Sequence, residues 1–314
     1  MSVTFDTSPL FSNARWNGWT KLKPQSEVSK GNILDKAENK PGLYRIRHSE
    51  FSRLVYIGES AEVRRRMSTL ANKIDQDVMP YRDPHTAAMS LWSYKNEYGG
   101  DFEVSWIEPE YADRKRWRKG MEAGLLSIYR LKENKSTISN YGRIHPGYTK
   151  SKRRCTQTRG KKSSDSSINK DSARVHPRSS WYNYTNPLSK TWMGYHWSKK
   201  YNLKNRGSVS CPPYAVYRLT KKGNDEILYI GETSDLHGRI EKHYQNYGPE
   251  TSIEFFSTEF LDAKSRRLEV ETDLIGVYYL LYGQPPSEQF TDEYRPPKSD
   301  SHNSNDQTGM SDYV

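Results

Sequence analysis

Cysteine is scarce in this chain of 314 residues: it has only Cys155 and Cys211. Two distant cysteines support neither a disulfide framework nor a cysteine-based zinc site. Long apolar runs are also missing. The longest, Leu274 to Tyr282, is far too short to span a bilayer. The first twenty residues carry Trp16 and Trp19 but no apolar core of the kind a signal peptide needs. These lacks set the expectation of an intracellular, cytoplasmic protein with no membrane attachment and no obligate protein partner. Acidic residues are sparse in one place above all. Between Thr149 and Arg178 ten Lys/Arg stand against Asp165 and Asp171, so this stretch holds most of the formal net charge of +11. Rich in Ser, Lys, Arg and Gly, it offers too little apolar surface to offset the entropy of ordering and is expected to be a flexible tether. Its charge suits phosphate, because each neutralised phosphate releases counterions; the alternative is a solubilising linker.

What is present is a repeat. Gly42-Leu43-Tyr44 followed by Tyr56-Ile57-Gly58 recurs as Ala215-Val216-Tyr217 followed by Tyr229-Ile230-Gly231, with the tyrosines twelve positions apart both times. Arg66 and Arg239 each lie ten residues beyond the second tyrosine. A pattern that keeps register through a turn and into the next element indicates duplication. Each copy reads as a hairpin, over 42–47 with 54–59 and 214–219 with 227–232, rich in β-branched and aromatic residues. Alternation brings the two tyrosines of a copy to one face.

A helix follows each hairpin: one carries Val63, Arg66, Met67 and Leu70, the other spans 235–247. Alternating strands come next, at Phe102 to Ile107 and Ile253 to Phe260, and then helices over 112–132 and 262–282. Trp117, Met121, Leu125 and Ile128 form the apolar stripe of the first of these, with Glu122 beside it. Aligning Glu122 with Glu271 also aligns Leu125, Leu126 and Tyr129 with Leu274, Ile275 and Tyr278. Ahead of each hairpin, Trp16-Asn17-Gly18-Trp19 echoes Trp192-Met193-Gly194-Tyr195. Such clusters are expected to be aromatic lids under a sheet, with base stacking as the alternative. The chain thus divides into a first unit over 1–148, a basic linker over 149–180, a second unit over 181–290 and a disordered tail over 291–314.

On these residues both units resemble the GIY-YIG nuclease family, over roughly 42–148 and 214–290. The resemblance implies a mixed α/β fold, each unit a three-stranded antiparallel sheet flanked by helices. It further implies hydrolysis of DNA phosphodiesters with one divalent metal, Mg²⁺ or Mn²⁺. Carried over position by position, it names Tyr44, Tyr56, Arg66, Asn140 and the metal ligand Glu122 in the first unit. In the second it names Tyr217, Tyr229, Arg239, His243 and the metal ligand Glu271. The copies depart differently: the first has Leu70 where the family has His, and the second has Gln289 where Asn is expected and Ala215 for the first Gly.

The residue types suit the chemistry. A carboxylate can anchor Mg²⁺, which keeps several waters; an arginine can fork onto nonbridging oxygens; a tyrosine near a cation can take a proton from water; and a histidine can relay it. His85, in the insertion Met79 to Thr86 of the first unit, is expected to cap the helix near Ala87 to Trp92, or else to replace the ring missing at Leu70. The main expectation is an endonuclease with two modules, each cutting one strand. Its alternative is a DNA-binding or scaffolding protein in which one or both modules are inactive.

Overall fold

The structure, a computed structural model, describes residues 16–24, 37–51, 53–83, 85–165, 179–221, 223 and 226–291. The tail after Thr291, the linker residues 166–178 and the first fifteen residues lie outside these.

The first unit contains β1 (Thr20–Lys21), β2 (Gly42–His48), β3 (Leu54–Ser60), α1 (Val63–Ile74), α2 (Thr86–Tyr98), β4 (Phe102–Ile107) and α3 (Lys115–Glu133). The second contains β5 (Tyr201–Asn202), β6 (Ala215–Lys221), β7 (Ile227–Thr233), α4 (Leu236–Tyr247), β8 (Thr251–Phe256) and α5 (Lys264–Tyr282). Each sheet is antiparallel with four strands, in the orders β1-β4-β2-β3 and β5-β8-β6-β7. The expected three strands therefore gain a fourth, at the edge beside β4 or β8. Two residues are too few to show alternation, so it left no periodic signal. Residues 257–260, expected to continue the last strand, instead leave the sheet, and Glu259–Leu261 form a 3-10 turn.

The hairpins share their irregularity: the register slips after Ile46 in one and after Leu219 in the other. Tyr44 pairs with Gly58 and Tyr217 with Gly231. An added Cβ on Gly58 would stand 2.6 Å from the Tyr56 ring and 2.8 Å from that of Tyr44; on Gly231 it would stand 2.5 Å from the Tyr217 hydroxyl. Glycine at this position lets two tyrosine rings lie over the backbone.

The free edge of each hairpin is covered in the same way. Ser139 N–H donates to the Val55 carbonyl at 3.0 Å, and the Asn140 side chain then acts as a strand residue, accepting from Ile57 N–H at 3.0 Å and donating to its carbonyl at 2.7 Å. In the second unit Glu288 N–H donates to the Leu228 carbonyl, and Gln289 Oε1 accepts from Ile230 N–H at 2.9 Å. Tyr141 and Phe290, each one residue on, share a left-handed backbone. An otherwise unpaired edge is thereby closed.

The aromatic echo read from sequence is out of register. Asn17 N–H donates to the Trp106 carbonyl as Ser198 N–H does to that of Phe255, so Trp16 corresponds to Trp197. Arg45 lies 4.4 Å over Trp16 and Arg218 lies 4.3 Å over Trp197. Trp192 is a fully buried core residue. These rings are lids against the sheet, held partly by cation–π attraction.

Helices α3 and α5 pack on one another and join the units. Gly120 lies against the Tyr279 ring, and Gly276 against the Ala123 carbonyl and Ser127. At one end Arg130 shares its Nε–H between the two carboxylate oxygens of Asp273 at 2.9 and 3.1 Å and reaches Glu269 at 3.4 Å, while Arg143 pairs with Glu269 and Ser179 donates to Asp273 at 3.0 Å. All of these are buried. At the other end Arg116 donates to the carbonyls of Pro285, Pro286 and Gln289. Breaking a buried pair by removing one partner costs about 3–5 kcal/mol, so this network fixes the register of the two helices. The units are docked against one another, in contrast to the expected pair of modules on a tether.

Residues 149–165 depart from the expected flexible linker too. Tyr148 bridges to Lys162, Thr149 N–H donates to the Lys161 carbonyl and Lys152 N–H to that of Thr158. The segment is a hairpin, turned by a 3-10 segment at Arg154–Thr156 and laid on residues 79–83. Gly160 is buried against Met79 there. Backbone hydrogen bonds, not apolar burial, order it, and composition does not register those. Among the described residues no helix is long and apolar enough to cross a membrane.

Candidate active site

Each hairpin presents its tyrosine pair to the helix that follows it and to the long helix beyond. In the first unit the rings of Tyr44 and Tyr56 stand 5.9 Å apart and their hydroxyls hydrogen-bond. Helix α1 supplies Arg66 and α3 supplies Glu122; both charges act on both phenols. Burial pushes both phenols above their ordinary range, and Arg66 partly offsets it. In the second unit Tyr217 and Tyr229 stand 6.1 Å apart, nearly parallel, with Arg239 and Glu271 acting on Tyr217 in the same sense. The sequence-based sets Tyr44, Tyr56, Arg66, Glu122 and Tyr217, Arg239, Glu271 are thus each brought together, with Tyr229 stacked on its partner.

The two glutamates behave alike. Burial pushes the Glu122 carboxyl up to about 8, with Glu59 repelling it and Lys119, Arg66 and Arg118 pulling it back. Glu271 is likewise pushed up to about 8 by burial and by Glu232, offset by a hydrogen bond from the Glu232 backbone and by Arg239. Sequence reasoning missed the second carboxylate of each site. Glu59 is paired with Arg118 at 2.5 Å and Glu232 with Arg267 at 2.8 Å. Both arginines also donate to the loop before their helix, at the carbonyls of Ala112 and Leu261. The signal was available, since Tyr56-Ile57-Gly58-Glu59 and Tyr229-Ile230-Gly231-Glu232 repeat through the acid.

The groups beside the first tyrosine differ. His243 accepts from, or donates to, Tyr217 through Nε2 at 2.9 Å; it is buried, and its Nδ1 has no partner among the described residues. Burial, then Arg239 and Lys242, lower its pKa to about 4, so it is neutral at physiological pH. In the first unit the corresponding Leu70 is fully buried. His85 does precede α2, but its side chain makes no cap hydrogen bond. Its Nδ1 accepts instead from Arg66, and burial together with Arg66 lowers its pKa to about 4. Asn140 is directed at Ile57 and Thr137 rather than at the tyrosines. It positions β3, and Gln289 does so for β7.

Among the described residues no group of three or more ligating side chains is assembled. The donor chemistry nevertheless fits a hard cation: each site offers a half-buried carboxylate facing a second carboxylate held by arginine, and Mg²⁺ takes only one or two protein carboxylates.

Residues 213–278 match the family described as the GIY-YIG catalytic domain. A comparison with curated proteins and one with solved structures give no significant match. The matched segment holds Tyr217, Tyr229, Arg239, His243 and Glu271.

Proposed function

We propose that the chain is a divalent-metal-dependent DNA endonuclease with two GIY-YIG modules, the second over the matched residues and the first over 42–148. The observation that carries this reading is the recurrence of one constellation, two adjoining tyrosine rings with an arginine and a half-buried glutamate, on two sheets of identical strand order. Glu122 and Glu271 would hold Mg²⁺, which supplies Lewis-acid relief of charge on the phosphate and a more acidic bound water.

The chain's own residues do the rest. Arg239 and Arg66 present guanidinium groups to nonbridging oxygens and hold the phosphate in line. Tyr217 takes the proton of the attacking water as its own hydroxyl proton passes to His243 Nε2, which is neutral and so open to it. Tyr229 and Tyr56 exclude bulk water from one wall. In the first module Tyr44 bonds to Tyr56 instead, and the imidazole stands on Arg66.

Plasmid incubated with Mg²⁺ tests the reading. Supercoiled substrate is expected to become linear with the wild type, and to become mainly nicked with Glu122→Ala or Glu271→Ala. The double variant should do neither. Undiminished cleavage by the double variant would refute the assignment. Leu70 favours a second reading, in which the first module binds DNA without cutting; Glu271→Ala would then leave plasmid intact while Glu122→Ala still nicks it.

A further inference from the structure

We propose that the hairpin over 148–162 is a DNA-backbone clamp belonging to the first module and set at the edge of its site. Residues 149–164 contain seven basic side chains and no acidic one. Charge of one sign at such density repels itself, and a fold that holds it in a defined shape calls for a partner of the opposite sign. The hairpin's inner face is closed: Ser151 and Gly160 are buried, and Arg159 donates to the Met79 carbonyl at 2.7 Å while its guanidinium lies 4.1 Å over Tyr81. Its outer face is open, with residues 152–158 all exposed. Lys152, Arg153, Arg154 and Lys161 make no ion pair among the described residues, whereas Lys162 is bound to Glu97.

Its anchor gives the hairpin a direction. Arg82 N–H donates to the Lys152 carbonyl, and Asp83 accepts from Arg154 N–H at 2.7 Å. Two residues after Asp83, His85 meets Arg66. A phosphodiester held at Arg66 therefore has flanking phosphates passing beside this basic ribbon. A regular, dense array of phosphates matches a row of unneutralised cations better than a single anion does, and a two-stranded ribbon has the width the DNA groove admits. Among the described residues the second module shows no such element.

The proposal rests on the nuclease reading for its choice of DNA, and its test separates the two. Affinity for a 30-base-pair duplex is measured by fluorescence anisotropy against salt, in Glu122→Ala/Glu271→Ala protein with and without Lys152→Gln, Arg153→Gln, Arg154→Gln and Lys161→Gln. Losing four phosphate contacts should lower the slope of log affinity against log salt by about 3–4. The charge-conserving exchange of these residues between Lys and Arg should retain the slope, which distinguishes charge from damage to the fold. An unchanged slope overturns the clamp, as does loss of binding to phosphatidylserine vesicles or to an RNA hairpin with duplex binding intact. Failure of the nuclease reading would show instead as uncut plasmid with the wild type.

Discussion

The two sites share their walls and differ in what meets the first tyrosine. In the second unit a buried imidazole from α4 touches the Tyr217 hydroxyl. The matching turn of α1 offers Leu70, and an imidazole from the insertion stands on the arginine rather than on the phenol. Because the sites otherwise share their walls, down to the glycine beneath the rings and the Arg–Glu pair behind them, the placement of the imidazole is the difference nearest the first tyrosine. One fold thus keeps the tyrosines, the arginine and the glutamates in place while the imidazole moves.

Reversing that difference should produce the largest effect. His243→Leu, which writes the first unit's residue into the second, is expected to slow nicking by the second site about 10²–10⁴-fold, the range of a lost general base, when measured in a Glu122→Ala background. Leu70→His in a Glu271→Ala background should raise the first site's rate by about tenfold, less than the reverse loss because Arg66 stays engaged with His85. Equal rates before and after both exchanges would remove His243 from the chemistry.

Metal affinity should not distinguish the sites, and pH tests that. Both glutamates titrate near 8 in the absence of cation, so a cation must displace a proton at lower pH. Apparent Mg²⁺ affinity is expected to rise about tenfold per pH unit from pH 6 to 8 and to level off above, at each site alike. In the metal-free protein the sign is the reverse of the usual carboxylate case. A raised folded pKa contributes stability below about 4.5 that is lost as pH rises through about 8. Glu122→Gln and Glu271→Gln should thus raise the melting temperature at pH 9 and barely change it at pH 5. Isothermal titration and thermal melts read both. A pH-independent affinity at one site would show that its glutamate is not the ligand.

Much of this was legible in the chain because it lay in periodic patterns. The tyrosine spacing, the strands rich in β-branched residues and the stripe beside Glu122 each carry a period that local geometry imposes. What was illegible depends on backbone pairing at a distance. Two-residue edge strands have no period, and the hairpin over 148–162 is held by carbonyls and amides whose side chains look like those of a linker. The aromatic echo misled because similar residue types outranked register, which only the bonds of Asn17 and Ser198 reveal. The inter-unit network of Arg130, Arg143, Glu269 and Asp273 was equally hidden, since neither unit alone shows which charge the other brings.

The smallest expected effect sharpens the comparison where resemblance and geometry part. By resemblance Asn140 belongs to the chemistry, and Gln289 marks a missing catalytic group. By geometry both close a sheet edge, Asn140 through two bonds to Ile57 and Gln289 through one to Ile230. Each buried backbone group left unsatisfied costs about 1–3 kcal/mol. Asn140→Ala should therefore destabilise more than Gln289→Ala, the difference being about 1 kcal/mol in chemical denaturation. The nicking rate per folded molecule should fall by less than about tenfold in either. A hundredfold slower first site in Asn140→Ala protein of unaltered stability would return the residue to the reaction, and would mean that the amide leaves Ile57 when DNA binds.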